Sequence, residues 1–83
     1  MKVTIKYFAS IREAIGKGSE VRDTSATTLS ALRDELLLAS PMHAQALVRG
    51  KSLRMALNQV MSDESVQITD GCEVAFFPPV TGG

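Results

Sequence analysis

The 83-residue sequence has very few of the side chains that most often build an active site or a cross-link. It contains one cysteine, Cys72, and one histidine, His43. A lone cysteine excludes an internal disulfide framework and is compatible with a reducing cytoplasm, which is the location we expect. A lone histidine without a cysteine cluster, in a chain that has no glycine-rich phosphate loop, predicts no metal site and little acid–base chemistry of its own.

Excess charge and long apolar runs are missing as well. Nine basic and nine acidic side chains cancel, so the composition gives no electrostatic reason to expect a nucleic-acid or membrane partner. No run approaches the roughly 20 apolar residues of a membrane span, and the alternating first eight residues are unlike a secretory signal. With 45% hydrophobic and 22% charged residues, the composition predicts one small globular domain.

The beginning of the chain predicts two strands around a short helix. Residues 1–8 alternate between polar and apolar, which predicts a half-buried strand whose polar face ends at Phe8. The run from Ser10 to Gly16 predicts a short helix, capped by the serine and ended by the glycine. A second strand, Glu20–Arg22, is expected to pair with the first.

The middle of the chain predicts the main helix and the elements after it. Thr27 or Thr28 caps a helix that Ser40-Pro41 ends. Its leucines recur at helical spacing and form an apolar stripe suited to a sheet surface: Leu29, Leu32, Leu36 and Leu37. After a helical turn, the pattern predicts a hairpin turn around Gly50-Lys51 and one strand over Leu53–Val60.

The last residues predict a strand that leads into a tail. Asp70-Gly71 is a strong turn signal before the strand Glu73–Phe77. Pro78 and Pro79 stop the sheet and hold the chain extended. Gly82-Gly83 suits a backbone that threads a narrow passage, because a missing Cβ lets the walls approach the main chain.

The order of these elements predicts an α+β fold of the β-grasp, or ubiquitin-like, type. We expect a mixed sheet with one main helix packed across it and with the first and last strands paired in its centre. We assign residues 1–77 to this domain and residues 78–83 to a flexible, extended C-terminal tail.

The closing residues resemble those of a known family. The string DGCEVAFFPPVTGG, which spans Asp70–Gly83, resembles the end of the small, sulfur-carrying subunit of molybdopterin synthase (the MoaD family). Arg12-Glu13 followed by Gly16, and Leu57-Asn58-Gln59, fit the same family. Cys72 departs from it, because the family commonly has an acidic residue in this turn.

The resemblance implies a role in molybdenum cofactor biosynthesis. An E1-like activating enzyme would use ATP to adenylate the carboxylate of Gly83, the residue that Gly82 precedes, and a sulfur donor protein would then supply the sulfur of a thiocarboxylate. The tail would enter the large subunit of molybdopterin synthase, in a heterotetramer, and pass sulfur to cyclic pyranopterin monophosphate. The carrier itself would bind no cofactor, and the catalytic groups would lie on the large subunit.

Strand alternation also predicts a docking surface beside the tail. In the last strand Val74 and Phe76 face inward, which leaves Ala75 and Phe77 facing outward, and Phe77 lies next to Phe8 if the first and last strands pair. Met61 extends this surface and Arg12 adds a charged rim. The residues that we assign to partner binding are Phe8, Arg12, Met61, Phe77, Pro78, Pro79, Val80 and Thr81.

Other functions fit the same tail. A carrier for thiamine synthesis or tRNA thiolation would share its chemistry, and a ubiquitin-like modifier would join Gly83 to a lysine of another protein. A binding module with an inert end is a third class. We interpret His43 as a solvated surface residue, and Cys72 as a passive thiol, with a part in sulfur handling as the alternative. The adjacent carboxylates Asp34-Glu35 and Asp63-Glu64 are interpreted as solvated faces.

Overall fold

The alternating N-terminal residues form an internal strand of the sheet. In the computed structural model, which describes residues 1–50 and 52–79, strand β1 (Lys2–Tyr7) buries its apolar side chains and leaves the others at least partly exposed. Strand β2 (Ser19–Asp23) pairs with β1 in antiparallel register, as predicted.

Three further strands complete a mixed sheet. They are β3 (Arg54–Leu57), β4 (Val60–Ser62) and β5 (Glu73–Phe77). The strand order is β2-β1-β5-β3-β4, in which β1 and β5 are parallel and the other pairs are antiparallel. The predicted central pairing of the first and last strands is therefore confirmed.

Within the described residues, three helices contribute to the core beside the sheet: α1 (Ala9–Ile15), α2 (Leu29–Leu37) and α3 (Pro41–Ala46). Thr28 caps α2 as predicted, because its hydroxyl accepts a hydrogen bond of 3.1 Å from the backbone N–H of Ala31. Within residues 1–50 and 52–79, no helix combines the length and the apolar character needed to cross a membrane.

The core lies between the helices and the inner face of the sheet. The leucine stripe of α2 and the alternate residues of β1 and β5 meet there and exclude water, which is the main favourable term in folding. Its most deeply buried side chains are Val3, Ile5, Tyr7, Leu29, Leu32, Leu36, Leu47, Val74 and Phe76. This arrangement confirms the α+β, β-grasp prediction.

Two predicted helix boundaries are wrong in detail. Helix α1 has Phe8, not Ser10, at its N-cap position, and no side chain caps it there, while Gly16 ends it with a left-handed φ of 90° as predicted. Ser40-Pro41 does not end α2. It begins α3, because the serine hydroxyl accepts from the backbone N–H of His43 at 3.1 Å and the first turn tolerates proline.

The prediction of one strand over Leu53–Val60 is also wrong, because a tight turn divides it into β3 and β4. Asn58 and Gln59 have left-handed φ values of 49° and 69°, as a two-residue hairpin of type I′ requires. The sequence also predicts a hairpin around Gly50-Lys51. Gly50 is not next to a strand, and Lys51 lies outside the described residues.

The prediction that Ala75 faces outward is only partly correct. It alternates with the inward-facing Val74 and Phe76, yet it is only 4% exposed. Strands β1 and β3 flank it on both sides, with Lys6 and Ala56 as its register partners. The side chain of Ala75 is a single methyl group in the middle strand, so it adds little accessible surface to the outer face of the sheet.

Candidate functional site

Two phenylalanine rings lie side by side at the end of β5, directly before Pro78. Phe8 and Phe77 stack with ring centroids 4.6 Å apart and planes inclined by 10°. Phe8 is 40% exposed and Phe77 is half-buried. Exposed aromatic pairs of this kind are typical of protein interfaces, so the adjacency predicted from strand pairing is confirmed.

The backbone around Phe8 holds its ring in place. Its N–H donates to the carbonyl of Phe76 at 3.2 Å, and its own carbonyl accepts from the N–H of Ile11 at 3.1 Å. Ala9 then takes a φ of 51°, a left-handed value that costs an alanine about 1–2 kcal/mol. The chain thus turns sharply from strand to helix directly after the ring.

The stacked rings form one wall of an open apolar groove, which we call the tail-exit groove. Met61, 55% exposed, belongs to it as predicted, because β4 lies beside β3 and β3 beside β5. The groove is lined by Phe8, Ala9, Arg54, Met61, Phe77 and Pro78. Four of the residues predicted to bind a partner thus lie together: Phe8, Met61, Phe77 and Pro78.

Arg12, predicted as the charged rim, does not line the tail-exit groove but a depression next to it, since Ala9 lines both. The side chain of Arg12 lies close to Gly18 and lines this depression with Ala9 and Lys17. Arg54 is the cation that lines the tail-exit groove. Sequence reasoning missed it, because only the strand register, which sets Arg54 opposite Phe77, brings it there.

The two prolines stand at the edge of a second depression, on the helix side of the tail. Pro78 lines both this depression and the tail-exit groove, and Pro79 is exposed. The other lining residues come from α1, α3 and the segment before β3: Ser10, Ile11, Ala14, Ala46, Ser52 and Leu53. The predicted site residues Val80, Thr81, Gly82 and Gly83 lie outside the described residues.

His43 is not a solvated surface residue, and that interpretation is wrong. It is 7% exposed, its Nε2 lies 2.9 Å from Oε2 of Glu20, and its Nδ1 lies 2.7 Å from the hydroxyl of Ser40. Tyr7 donates to the same Glu20 oxygen at 2.7 Å and meets the imidazole edge-on. The Tyr7–Glu20–His43 cluster therefore joins β1, β2 and α3 beneath the sheet.

The cluster perturbs the ionisation of two of its members. Burial alone would raise the pKa of Glu20, but the hydrogen bonds from His43 and Tyr7 and the charge of Lys17, 3.7 Å away, together lower it. Burial and the neighbouring carboxylate raise the pKa of Tyr7. Glu20 is thus held as an anion and Tyr7 as a neutral donor, which stabilises the fold.

The remaining chemistry-bearing side chains serve the structure. Cys72 is a free thiol, only 3% exposed, as expected of a passive cysteine. The adjacent carboxylates are not simply solvated, since Glu35 pairs with Arg22 at 2.5 Å and Asp34 with Arg49 at 2.8 Å. In the part of the chain that the structure describes, no three histidine, cysteine or acidic residues cluster as metal ligands.

Comparison with known proteins identifies relatives that cover nearly the whole chain. The sequence profile of the ThiS family matches residues 5–83. The molybdopterin synthase sulfur carrier subunit of Escherichia coli is 41% identical over 81 residues, covering 98% of this chain and 99% of that protein.

Two solved structures share the fold over the full length of both chains. SAMP1 from Haloferax volcanii superposes with a TM-score of 0.79 at 25% identity. A chain of the complex of subunits 1 and 2 of molybdopterin-converting factor from Helicobacter pylori superposes with a TM-score of 0.70 at 25% identity. The chain therefore belongs to the ThiS family and, within it, to the small sulfur-carrier subunits of molybdopterin synthase, the MoaD family.

Proposed function

We propose that this chain carries sulfur for a molybdopterin synthase and that the carboxylate of Gly83 is the group that reacts. An E1-like enzyme, which uses the ATP, adenylates this carboxylate, and a sulfur donor protein supplies the sulfur of the thiocarboxylate. The carrier, acting in the cytoplasm, then places its tail inside the large subunit, in a heterotetramer. There the sulfur passes to cyclic pyranopterin monophosphate.

The observation that carries this proposal is the 41% identity to the Escherichia coli sulfur carrier subunit, which extends over nearly the whole of both chains. The family profile extends to Gly83, so the likeness includes the tail. The Helicobacter pylori complex, in which subunits 1 and 2 of molybdopterin-converting factor are bound together, supports the large subunit as the partner.

The chemistry explains why activation must come first. A carboxylate is a poor electrophile, because neither of its oxygens is a good leaving group. When a carboxylate oxygen of Gly83 attacks the α-phosphorus of ATP, pyrophosphate leaves and a mixed anhydride forms. Hydrosulfide (HS⁻) delivered by the donor protein can then attack the acyl carbon and displace AMP, and loss of the S–H proton leaves the thiocarboxylate. The resulting thiocarboxylate is anionic and carries a nucleophilic sulfur.

The single histidine and the single cysteine of the chain are not accessible for acid–base work in this reaction. His43 is buried and engaged with Glu20 and Ser40, and Cys72 is buried near the opposite end of β5 from the tail. We therefore assign proton transfer and substrate binding to the large subunit, whose active site the tail reaches. Six residues, 78–83, span at most about 20 Å when fully extended.

Docking at the tail-exit groove offsets part of the free-energy cost of ordering the tail. Ordering an extended segment costs about 1–2 kcal/mol per residue, and Pro78 and Pro79 reduce that cost because they restrict the free chain. Burial of a phenylalanine contributes about 1.5–3 kcal/mol. The stacked pair Phe8 and Phe77, adjacent to Pro78, can therefore offset part of the ordering cost.

The test combines intact mass with complementation. A carrier purified from cells that contain the activating enzyme should show one oxygen replaced by sulfur, and it should restore molybdopterin formation in a strain that lacks its own carrier. Removal of Gly82-Gly83 should abolish both signals. A matched variant with one residue added after Gly83 should fold equally well and also fail, because its activated group lies one residue out of position.

The outcomes separate the alternatives. Attachment to larger proteins through Gly83 would indicate a modifier, and a thiocarboxylated carrier that fails only in complementation would indicate thiamine or tRNA thiolation. Molybdopterin formation by the trimmed variant would overturn every function that depends on the tail.

A further inference from the structure

We propose that Arg54 recognises a carboxylate on the partner, so that the tail-exit groove selects a protein surface with an acidic side chain next to an apolar one. The inference deepens the proposed function and rests on it, since the partner considered is the large subunit. It assigns the specificity of docking to a residue that neither alternation nor motif had indicated.

The arginines of this chain fall into two groups. The first group pairs with carboxylates of the chain itself. Arg22 lies 2.5 Å from Glu35, and Arg33 and Arg49 lie 3.6 Å and 2.5 Å from Glu64, respectively. The second group is Arg12 and Arg54. Among residues 1–50 and 52–79, neither of these has a carboxylate oxygen within 4.0 Å of its guanidinium.

The guanidinium groups of Arg12 and Arg54 are in different surroundings. Arg12 stands beside Lys17 and Glu13 in a polar depression, where water solvates it well. Arg54 shares its groove with apolar side chains, including Phe77 and Met61. A partner that covers this groove removes water from Arg54 as well, and an uncompensated buried charge is costly. A carboxylate on the partner restores the lost interactions, in a planar arrangement that guanidinium favours.

The nearest acidic side chains among residues 1–50 and 52–79 do not fill this role. Asp63 and Glu64 line a neighbouring depression together with Arg54, yet both have other partners. Asp63 accepts a hydrogen bond of 2.8 Å from the backbone N–H of Ser65, and Glu64 binds Arg49. Within the described residues, the guanidinium of Arg54 is thus available for a carboxylate of the partner.

A protein surface fits these observations better than a nucleic acid. Phosphate backbones bind to rows of cations, whereas here a single cation stands among apolar and aromatic side chains and the chain has no net charge. An apolar side chain of the partner can lie against Phe8 and Phe77 while its acidic neighbour reaches Arg54.

The experiment measures binding of the full-length carrier to its cognate large subunit, with Arg54→Glu as the main variant. We expect affinity to fall by about tenfold or more at about 50 mM NaCl, with much of the loss in the association rate, and the loss to shrink at about 500 mM NaCl as screening increases. Arg54→Gln should lose less, because it removes the charge without reversing it.

Lys2→Glu is the matched control. Lys2 is exposed and lies on the same face of β1 as Phe8, but six residues away, a distance of about 20 Å along the strand. The same charge change there should alter affinity by less than about twofold at either salt concentration. Both variants should keep the wild-type unfolding midpoint in urea, since both side chains are on the surface.

Rescue gives the sharpest support: an Asp or Glu of the large subunit changed to Arg should restore the affinity of Arg54→Glu. If Arg54→Glu binds as the wild type does, or loses affinity equally at both salt concentrations, the inference is overturned while the proposed function stands. If the wild-type carrier neither binds the large subunit nor becomes thiocarboxylated, the proposed function itself fails, and the inference fails with it.

Discussion

Two aromatic pairs lie back to back where β1 and β5 end, and they have opposite surroundings. Tyr7 and Phe76 stack on the inner face, with centroids 6.1 Å apart, and both are buried. Phe8 and Phe77, one residue further along each strand, stack on the outer face and stay partly exposed. One parallel strand pairing therefore produces a pair that is buried in the core and a pair that stays partly exposed, and the proposed function assigns the exposed pair to a partner.

The polar groups beside the two pairs differ in the same way. On the inner side, Glu20 forms hydrogen bonds with both Tyr7 and His43. On the outer side, Arg54 lines the groove without a carboxylate partner among residues 1–50 and 52–79. Interactions completed within the chain stabilise the fold, whereas an arginine without a carboxylate partner in the described residues, beside exposed aromatic rings, is the feature on which the proposed docking surface rests.

Removal of the inner ring should have the largest effect on the molecule. We expect Phe76→Ala to lower the free energy of unfolding by about 3–5 kcal/mol, because it leaves a cavity under the central strand. Urea denaturation of the isolated carrier measures this loss. A loss below about 1 kcal/mol would show that the inner pair does not carry the stability that its burial indicates.

Removal of the outer ring should leave the fold and damage docking. We expect Phe77→Asp to weaken binding to the large subunit and to the activating enzyme by about 100-fold, since an interface aromatic is lost and a charge is added. The free energy of unfolding should change by less than about 1 kcal/mol. Titration calorimetry with each partner is the measurement, and Phe77→Leu, which keeps an apolar side chain, is the control. Unchanged affinity for both partners would refute the docking role.

The inner polar cluster should give the smallest effect, and one that depends on pH. The pKa of Glu20 is lower in the folded chain than its ordinary value of 4.5. Its contribution is therefore fully present above about pH 4.5 and is lost as pH falls through the folded pKa. Glu20→Gln should cost about 1–2 kcal/mol at pH 7 and should reduce the loss of stability in acid. Urea denaturation from pH 7 to pH 3 tests this, and parallel curves for the two proteins would contradict it.

Local pattern was sufficient for the parts of the fold and site that lie along single strands. A period of two in β1 and β5 predicted which side chains face inward, and their expected pairing brought Phe8 next to Phe77. Thr28 and Gly16 were predictable because a cap and a stop act within one helical turn. These features need no knowledge of distant neighbours.

The rest depends on partners far along the chain. The sequence predicts a solvated His43 because it lies in a short stretch with Ser40 and Gln45, while Glu20, the partner of its Nε2, lies 23 residues away. The β3–β4 hairpin was hidden because Gln59 occupies a left-handed position where glycine is the usual signal. Arg54 became visible only with the strand register, which no local pattern contains.

The central position of β5 has a consequence for damaged copies of the carrier. Proteolysis within Glu73–Phe77 would divide the sheet between β1 and β3 and separate the body from Phe77 and everything after it. Under the proposed function, the remaining body loses both the Phe77 side chain that contacts the large subunit and the Gly83 group that carries the sulfur. Under the same proposal, only a carrier with an intact β5 competes for the synthase.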